Sequence, residues 1–135
     1  MMRKMHGMNK KMIAALLLGV LLISLSTPAT KAFAYTVKWT NEYRFYSPSD
    51  RTPSATKWTK SYVYMSTSKI TSGFHFNSWV MAKGKQSGPS RTVDGPGITK
   101  YVNYAVEDHG KGVGTYIASK RFANGSASGT WQPDK

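Results

Sequence analysis

Few side chains in this sequence are equipped for chemistry, and they fall in two places. His75 stands between Phe74 and Phe76, and Glu107, Asp108 and His109 stand together ahead of Gly110. Imidazole and carboxylate are ligands for zinc or copper, so a fold that brought His75 to Asp108 and His109 would build a metal centre. Neither group has a metal-binding spacing such as His-Glu-x-x-His, and no metal is expected. Serines are numerous, but none occupies the Gly-x-Ser-x-Gly turn of a nucleophile elbow. A carboxylate pair for glycoside cleavage, Glu42 with Glu107 for instance, would need a cleft that a domain of this size rarely encloses. The absence of cysteine removes thiol catalysis, Cys-based metal sites and any disulfide framework. Gly110-Lys-Gly-Val-Gly114 lacks the rest of a phosphate-binding loop and reads as a turn. The expectation is therefore no catalytic residue, no cofactor and no enzyme.

Binding chemistry remains. Residues 35–135 hold ten lysines and four arginines against six acids, a net charge of +8. Charge of that sign favours an anionic component of the cell envelope, whether wall polymer, glycan or lipid headgroups; nucleic acid is not an expected partner. The lysines are scattered, so solubility alone is the competing reading. Lys83 and Lys85 flank Gly84 just ahead of Gly88-Pro89, which places both on one projecting loop as the expected anionic-surface contact. Trp39, Trp58, Trp79 and Trp131 could stack bases or sugars beside lysines. Most large aromatics in a cysteine-free β domain pack its core, however. Trp131, near the end of the chain, is the one expected to be exposed as an aromatic contact. Asn124-Gly125-Ser126 has the form of an N-glycosylation sequon, meaningful in a eukaryotic secretory pathway.

The elements that must position these residues begin with a leader. Arg3, Lys4, Lys10 and Lys11 precede the uncharged apolar run Met12–Leu25, and Ala32-Phe33-Ala34 puts small residues where signal peptidase reads. Residues 1–34 are expected to be a cleaved signal peptide, with Met8 an alternative start. Its apolar run is too short for a permanent membrane span. Residues 35–135 are then one secreted domain. Tyr35–Tyr46 alternates apolar and polar side chains and reads as a half-buried strand. Prolines 48 and 53 end it and keep Ser47–Ser54 out of a regular ladder. Trp58–Thr67 and Phe74–Lys83 read as strands, Gly84–Ser90 as a loop and Arg91–Val93 as a short strand at most. Asp94-Gly-Pro-Gly97 is a turn. Ile98–His109 has both helical spacing and β-prone side chains, and the latter favour a strand. Val113–Phe122, the Asn124-Gly125 hairpin signal and Ser126–Trp131 complete the set. Six or seven short strands at such spacing predict an all-β antiparallel sandwich or small barrel.

Phe74–Ala82 (FHFNSWVMA), Val93–Gly97, Lys100–Val106 (KYVNYAV) and the closing Ser128–Asp134 resemble, in order and spacing, small exported Gram-positive proteins of the lactococcin-972-like bacteriocin group. They also resemble exported proteins associated with peptide-export systems. The resemblance implies a β-sandwich with a role in antagonism or at the envelope, and it supplies no catalytic or binding residues. The expected function is thus a non-enzymatic secreted basic β domain acting at the bacterial envelope, as a bacteriocin-like effector or accessory. The alternative is a binding module for an anionic wall polymer or glycan without antimicrobial activity.

Overall fold

The computed structural model describes residues 35–135; the expected signal peptide lies outside the described residues. Alternating burial forms two antiparallel sheets that face each other through aromatic side chains. The strands are β1 (Val37–Tyr43), β2 (Ser49–Arg51), β3 (Ala55–Lys57), β4 (Val63–Ile70), β5 (Phe76–Ala82) and β6 (Lys85–Val93). Then come β7 (Gly97–Tyr101), a short helix α1 (Ala105–His109), β8 (Val113–Lys120) and β9 (Gly125–Gln132). One sheet has the order β1-β9-β4-β7, and the other β2-β8-β5-β6 with β3 also on β8. The expected all-β sandwich is the fold.

Nine strands are present among the described residues where six or seven were expected, for reasons local to two places. Pro53 has no N–H to donate, so a single edge strand along β8 is broken into β2 and β3. Thr52 bridges the gap: its N–H donates to the Ile117 carbonyl at 3.0 Å and its hydroxyl accepts from the Ile117 N–H at 2.9 Å. The expected loop Gly84–Ser90 is instead most of β6. β6 tolerates Pro89 because it is an edge strand, and a bulge opposite Trp79 absorbs Gly88, Pro89 and Ser90.

Ile98–His109 also departs from expectation, splitting into β7 and α1. The β4–β7 ladder closes at Val63 and Tyr101, so the residues beyond have no partner strand. Asn103 Oδ1 accepts the Ala105 N–H at 3.2 Å, and Gly110, at φ 88°, ends the turn by donating to the Val106 carbonyl at 2.8 Å. Ala105 and Val106 pack on Ala82 and Val113. The Asn124-Gly125 signal likewise does not make a hairpin: β8 and β9 lie in different sheets, and the chain crosses between them.

The core is closed within the domain, by residues from Trp39 to Trp131. Tyr43 stacks on Phe76 with centroids 5.1 Å apart, and Trp39 meets the same ring edge-on at 6.4 Å. Two tyrosine–serine bonds tie the sheets together: Tyr43 Oη to Ser119 Oγ at 2.7 Å and Tyr101 Oη to Ser78 Oγ at 2.6 Å. Burial pushes the Tyr43 hydroxyl up to about 12 and raises that of Tyr101 as well. At the sheet edge, Lys57 and Asp134 are both buried, with Nζ and Oδ1 3.2 Å apart. The Lys57 ammonium also donates to the Pro133 carbonyl at 2.6 Å, while Asp134 accepts the Trp58 and Thr59 N–H groups at 2.9 and 3.0 Å. Burial draws the Lys57 ammonium below its ordinary value, against the opposing pull of Asp134. This clasp fixes the end of the chain to β3.

Candidate basic and aromatic face

Period two along β5 sends Phe76, Ser78, Val80 and Ala82 inward and Asn77, Trp79 and Met81 outward. On the neighbouring β8 the outward set is Tyr116, Ala118 and Lys120. The register sets Trp79 beside Ala118, Met81 beside Tyr116 and Asn77 beside Lys120. From β2, Arg51 pairs with Ala118 and reaches over Tyr116, its guanidinium carbon 4.5 Å from the ring centroid. Lys120 Nζ sits 4.8 Å from the centroid of Phe122. Asn77, Trp79, Lys120, Arg121 and Phe122 line a depression of about 420 Å³.

Ala118 stands between Arg51 and Trp79 in the ladder and adds only a methyl group between them. Asn77, Gln86 and Thr92 add neutral hydrogen-bonding groups, and Gln86 ties down the bulge through the Gly88 carbonyl at 2.9 Å. The strands of this sheet carry one acid, Asp50. Asp50, the nearest acid in β2, pairs with the inward Ser119 and spends its oxygens on the Glu42 and Arg51 N–H groups at 2.7 and 2.8 Å. Cations therefore rest on aromatic rings in place of acids. Only two ion pairs form among the described residues, Arg44–Glu42 and Lys57–Asp134.

Lys83 and Lys85 are exposed at one end of this sheet, in the β5–β6 hairpin. The two-residue loop Lys83-Gly84 has φ of 54° and 75°, the left-handed pair that a tight hairpin of this twist demands. The expected projecting loop is thus a rigid turn. Trp131 requires correction. It is 1 % exposed, because its position on β9 points inward between Val37 and Met65 of the neighbouring strands. Trp39 is buried also, whereas Trp58 remains 38 % exposed in the loop after β3. The outward tryptophan of a strand is Trp79.

The metal-type residues do not meet. His75 precedes β5, while Glu107, Asp108 and His109 belong to the helix packed on Ala82 at the far end of that strand, about 20 Å away. His75 Nε2 instead accepts from Arg121 Nη1 at 2.7 Å. Among the described residues no three His, Asp or Glu side chains gather as a ligand set. Nor is any helix among them long and apolar enough to cross a membrane.

The outside of the four-stranded sheet is different in kind. Thr40, Ser66, Ser128 and Thr130, with Lys38 among them, present short hydroxyls along β9 and its neighbours, over shallow depressions of about 260, 340 and 290 Å³. Its rings, Tyr62 and Tyr64, sit at one end beneath Lys100 and Lys135, at 4.4 and 5.2 Å.

Alternation along the chain separates Trp79 and Met81 from the inward residues of their strand but gives them no role. Arg51 is hidden among prolines, and nothing in a linear reading brings β2 to β8. Comparison with protein-family models, with curated proteins and with solved structures returned no match to this chain.

Proposed function

We propose that this domain is a binding module for an anionic glycan or wall polymer of the cell envelope, held on the outer face of the five-stranded sheet. The observation that carries the reading is the row Arg51–Ala118–Trp79 with Tyr116 and Lys120 beside it, in strands whose one acid, Asp50, pairs with an inward residue. A sugar ring stacks on the indole through desolvation and contact with its π face. Phosphate or carboxylate groups spaced along the polymer pair with Arg51, Lys120 and, at the hairpin end, Lys83 and Lys85. Asn77 and Gln86 offer amides to sugar hydroxyls. Nothing in this chemistry breaks a bond.

The fold supports such a role by rigidity: the row lies on paired strands rather than on loops, so little ordering entropy opposes binding. Export to the envelope, expected from residues 1–34, would bring the domain to its ligand. The effector alternative draws on the family resemblance and is separated by a growth-inhibition assay on related strains.

The test is sedimentation of Tyr35–Lys135 with purified cell walls, before and after the anionic polymers are stripped. Binding should fall steeply between low and molar salt, because each neutralised charge releases counterions. Trp79→Ala should abolish the part that survives in salt. Binding equal in stripped and intact walls, or untouched by Trp79→Ala, would refute the proposal.

A further inference from the structure

Two loops meet at the end of the sandwich beyond β8, and together they expose three aromatic rings. Arg44 and Ser47 exchange backbone hydrogen bonds, Arg44 N to Ser47 O at 3.1 Å and Ser47 N to Arg44 O at 2.9 Å. That tight closure puts Phe45 and Tyr46 at the apex of a turn, 70 % and 84 % exposed. The loop between β8 and β9 is tied alongside: Asn124 Oδ1 accepts the Phe45 N–H at 3.0 Å, and Arg121 N–H donates to the Pro48 carbonyl at 2.9 Å. It contributes Phe122, 60 % exposed. Rings of this size are ordinarily the core of such a domain, and three fixed in solvent at one tip mark a contact surface.

The charges around the tip narrow the partner. Arg44 opens the turn that carries Phe45 and Tyr46, and Lys120 and Arg121 lead into the loop beside it. Lys120 lies above Phe122 itself, while Arg121 Nη1 is held on His75 Nε2 at 2.7 Å. Two acids are near. Glu42 lies 3.4 Å from Arg44, and Asp50 is engaged by backbone N–H groups. A second copy of the chain docked tip to tip would set these cations against their own images, whereas an anionic surface complements them. Aromatic rings fixed on a rigid turn and bordered by Arg and Lys are also what the boundary between headgroups and acyl chains accepts.

We propose that this tip docks on anionic phospholipid, Phe45 and Tyr46 entering the headgroup layer while Arg44 and Lys120 pair with lipid phosphates. The tip borders the Trp79 depression and shares Lys120, Arg121 and Phe122 with it, whereas Phe45 and Tyr46 lie outside that depression and carry the lipid contact independently of polymer binding. It makes the domain a peripheral membrane binder without a spanning segment.

The experiment is flotation of Tyr35–Lys135 with vesicles of phosphatidylcholine, with and without phosphatidylglycerol. Neither Phe45 nor Tyr46 lines the depression beside Trp79, so the double variant Phe45→Ala/Tyr46→Ala tests the tip alone. The domain should float with the anionic vesicles and not with phosphatidylcholine alone. The double variant should lose about tenfold in partition, with an unchanged melting curve and unchanged wall sedimentation. In a separate Phe45→Trp variant, brominated acyl chains should quench the added tryptophan more strongly than the native ones. Three results would overturn the inference: no flotation with anionic vesicles, flotation indifferent to the double variant, or a concentration-dependent dimer that the double variant abolishes.

Discussion

Inside the sandwich the two sheets make comparable contributions, Trp39, Tyr43, Met65, Tyr101 and Trp131 from one and Phe76, Val80 and Ile117 from the other. Outside they diverge. The four-stranded sheet turns short hydroxyls outward along β9 and keeps its rings, Tyr62 and Tyr64, at one end, while the five-stranded sheet turns out an indole, a phenol ring and two cations along the middle of β5, β8 and β2. Burial alone explains the inner aromatic and aliphatic residues, because packing of one sheet on the other removes them from water. It does not demand Trp79 or Tyr116 on a solvent face, where threonine or serine serves along β9 of the other sheet. Side chains that the fold does not require are thus the ones to read for function.

The largest expected effects belong to the inside. Trp131→Ala should destabilise by about 3–5 kcal/mol through the cavity it leaves, whereas Trp79→Ala should cost less than about 1 kcal/mol as a surface change. Chemical denaturation of the two variants checks this; equal losses would erase the distinction between the two tryptophans. Lys57→Met should cost about 3–5 kcal/mol by leaving the Asp134 carboxylate buried without its counter-charge. Adding Asp134→Leu should recover part of that loss.

On binding, the faces should separate next. Trp79→Ala should weaken polymer affinity by about 1–3 kcal/mol, the worth of one stacked ring, and Ser128→Ala on the opposite face should change nothing. Titration calorimetry with a soluble anionic wall polymer reads both.

The buried tyrosines give a smaller effect per unit of pH. Tyr43 keeps its proton to about 12 in the fold against 10.0 in the open chain, so above pH 10 the unfolded state binds fewer protons than the native one. Stability should therefore fall as pH rises from 10 to 12, by about 1.4 kcal/mol per unit for Tyr43. Tyr101 acts in the same sense. Lys57, lowered, acts oppositely: its unfolded form holds the extra proton below 10.5, so its cost is relieved as pH rises toward that value. Tyr43→Phe should flatten the alkaline fall in urea melts. The smallest expected change is that of Lys83→Gln with Lys85→Gln, a loss of a few fold in polymer affinity at low salt that vanishes in molar salt.

How much of this is legible in the sequence depends on whether the signal is local. The alternation in Tyr35–Tyr46 and Phe74–Ala82 reveals β1, β5 and their inner faces directly. Trp131 misleads because nearness to the end of the chain suggests exposure, while its place on β9 between β1 and β4 is a long-range fact. β6 is masked by Gly88-Pro89, which reads as a loop until an edge strand and a bulge make room for it. The helix at Ala105–His109 is hidden by side-chain propensity, although Asn103 and Gly110 are its local markers. Arg51 and Tyr116 come together only through a pairing between distant strands, and no linear pattern carries that.

Which sheet holds the polymer can be read residue by residue in a two-dimensional NMR titration of isotope-labelled Tyr35–Lys135 with soluble anionic wall polymer. Perturbed resonances should cluster on Arg51, Asn77, Trp79, Tyr116, Ala118 and Lys120, with the Trp79 indole N–H among the largest. Perturbations gathered instead on Thr40, Ser66, Ser128 and Thr130 would place the ligand on the opposite face and contradict the proposed binding site.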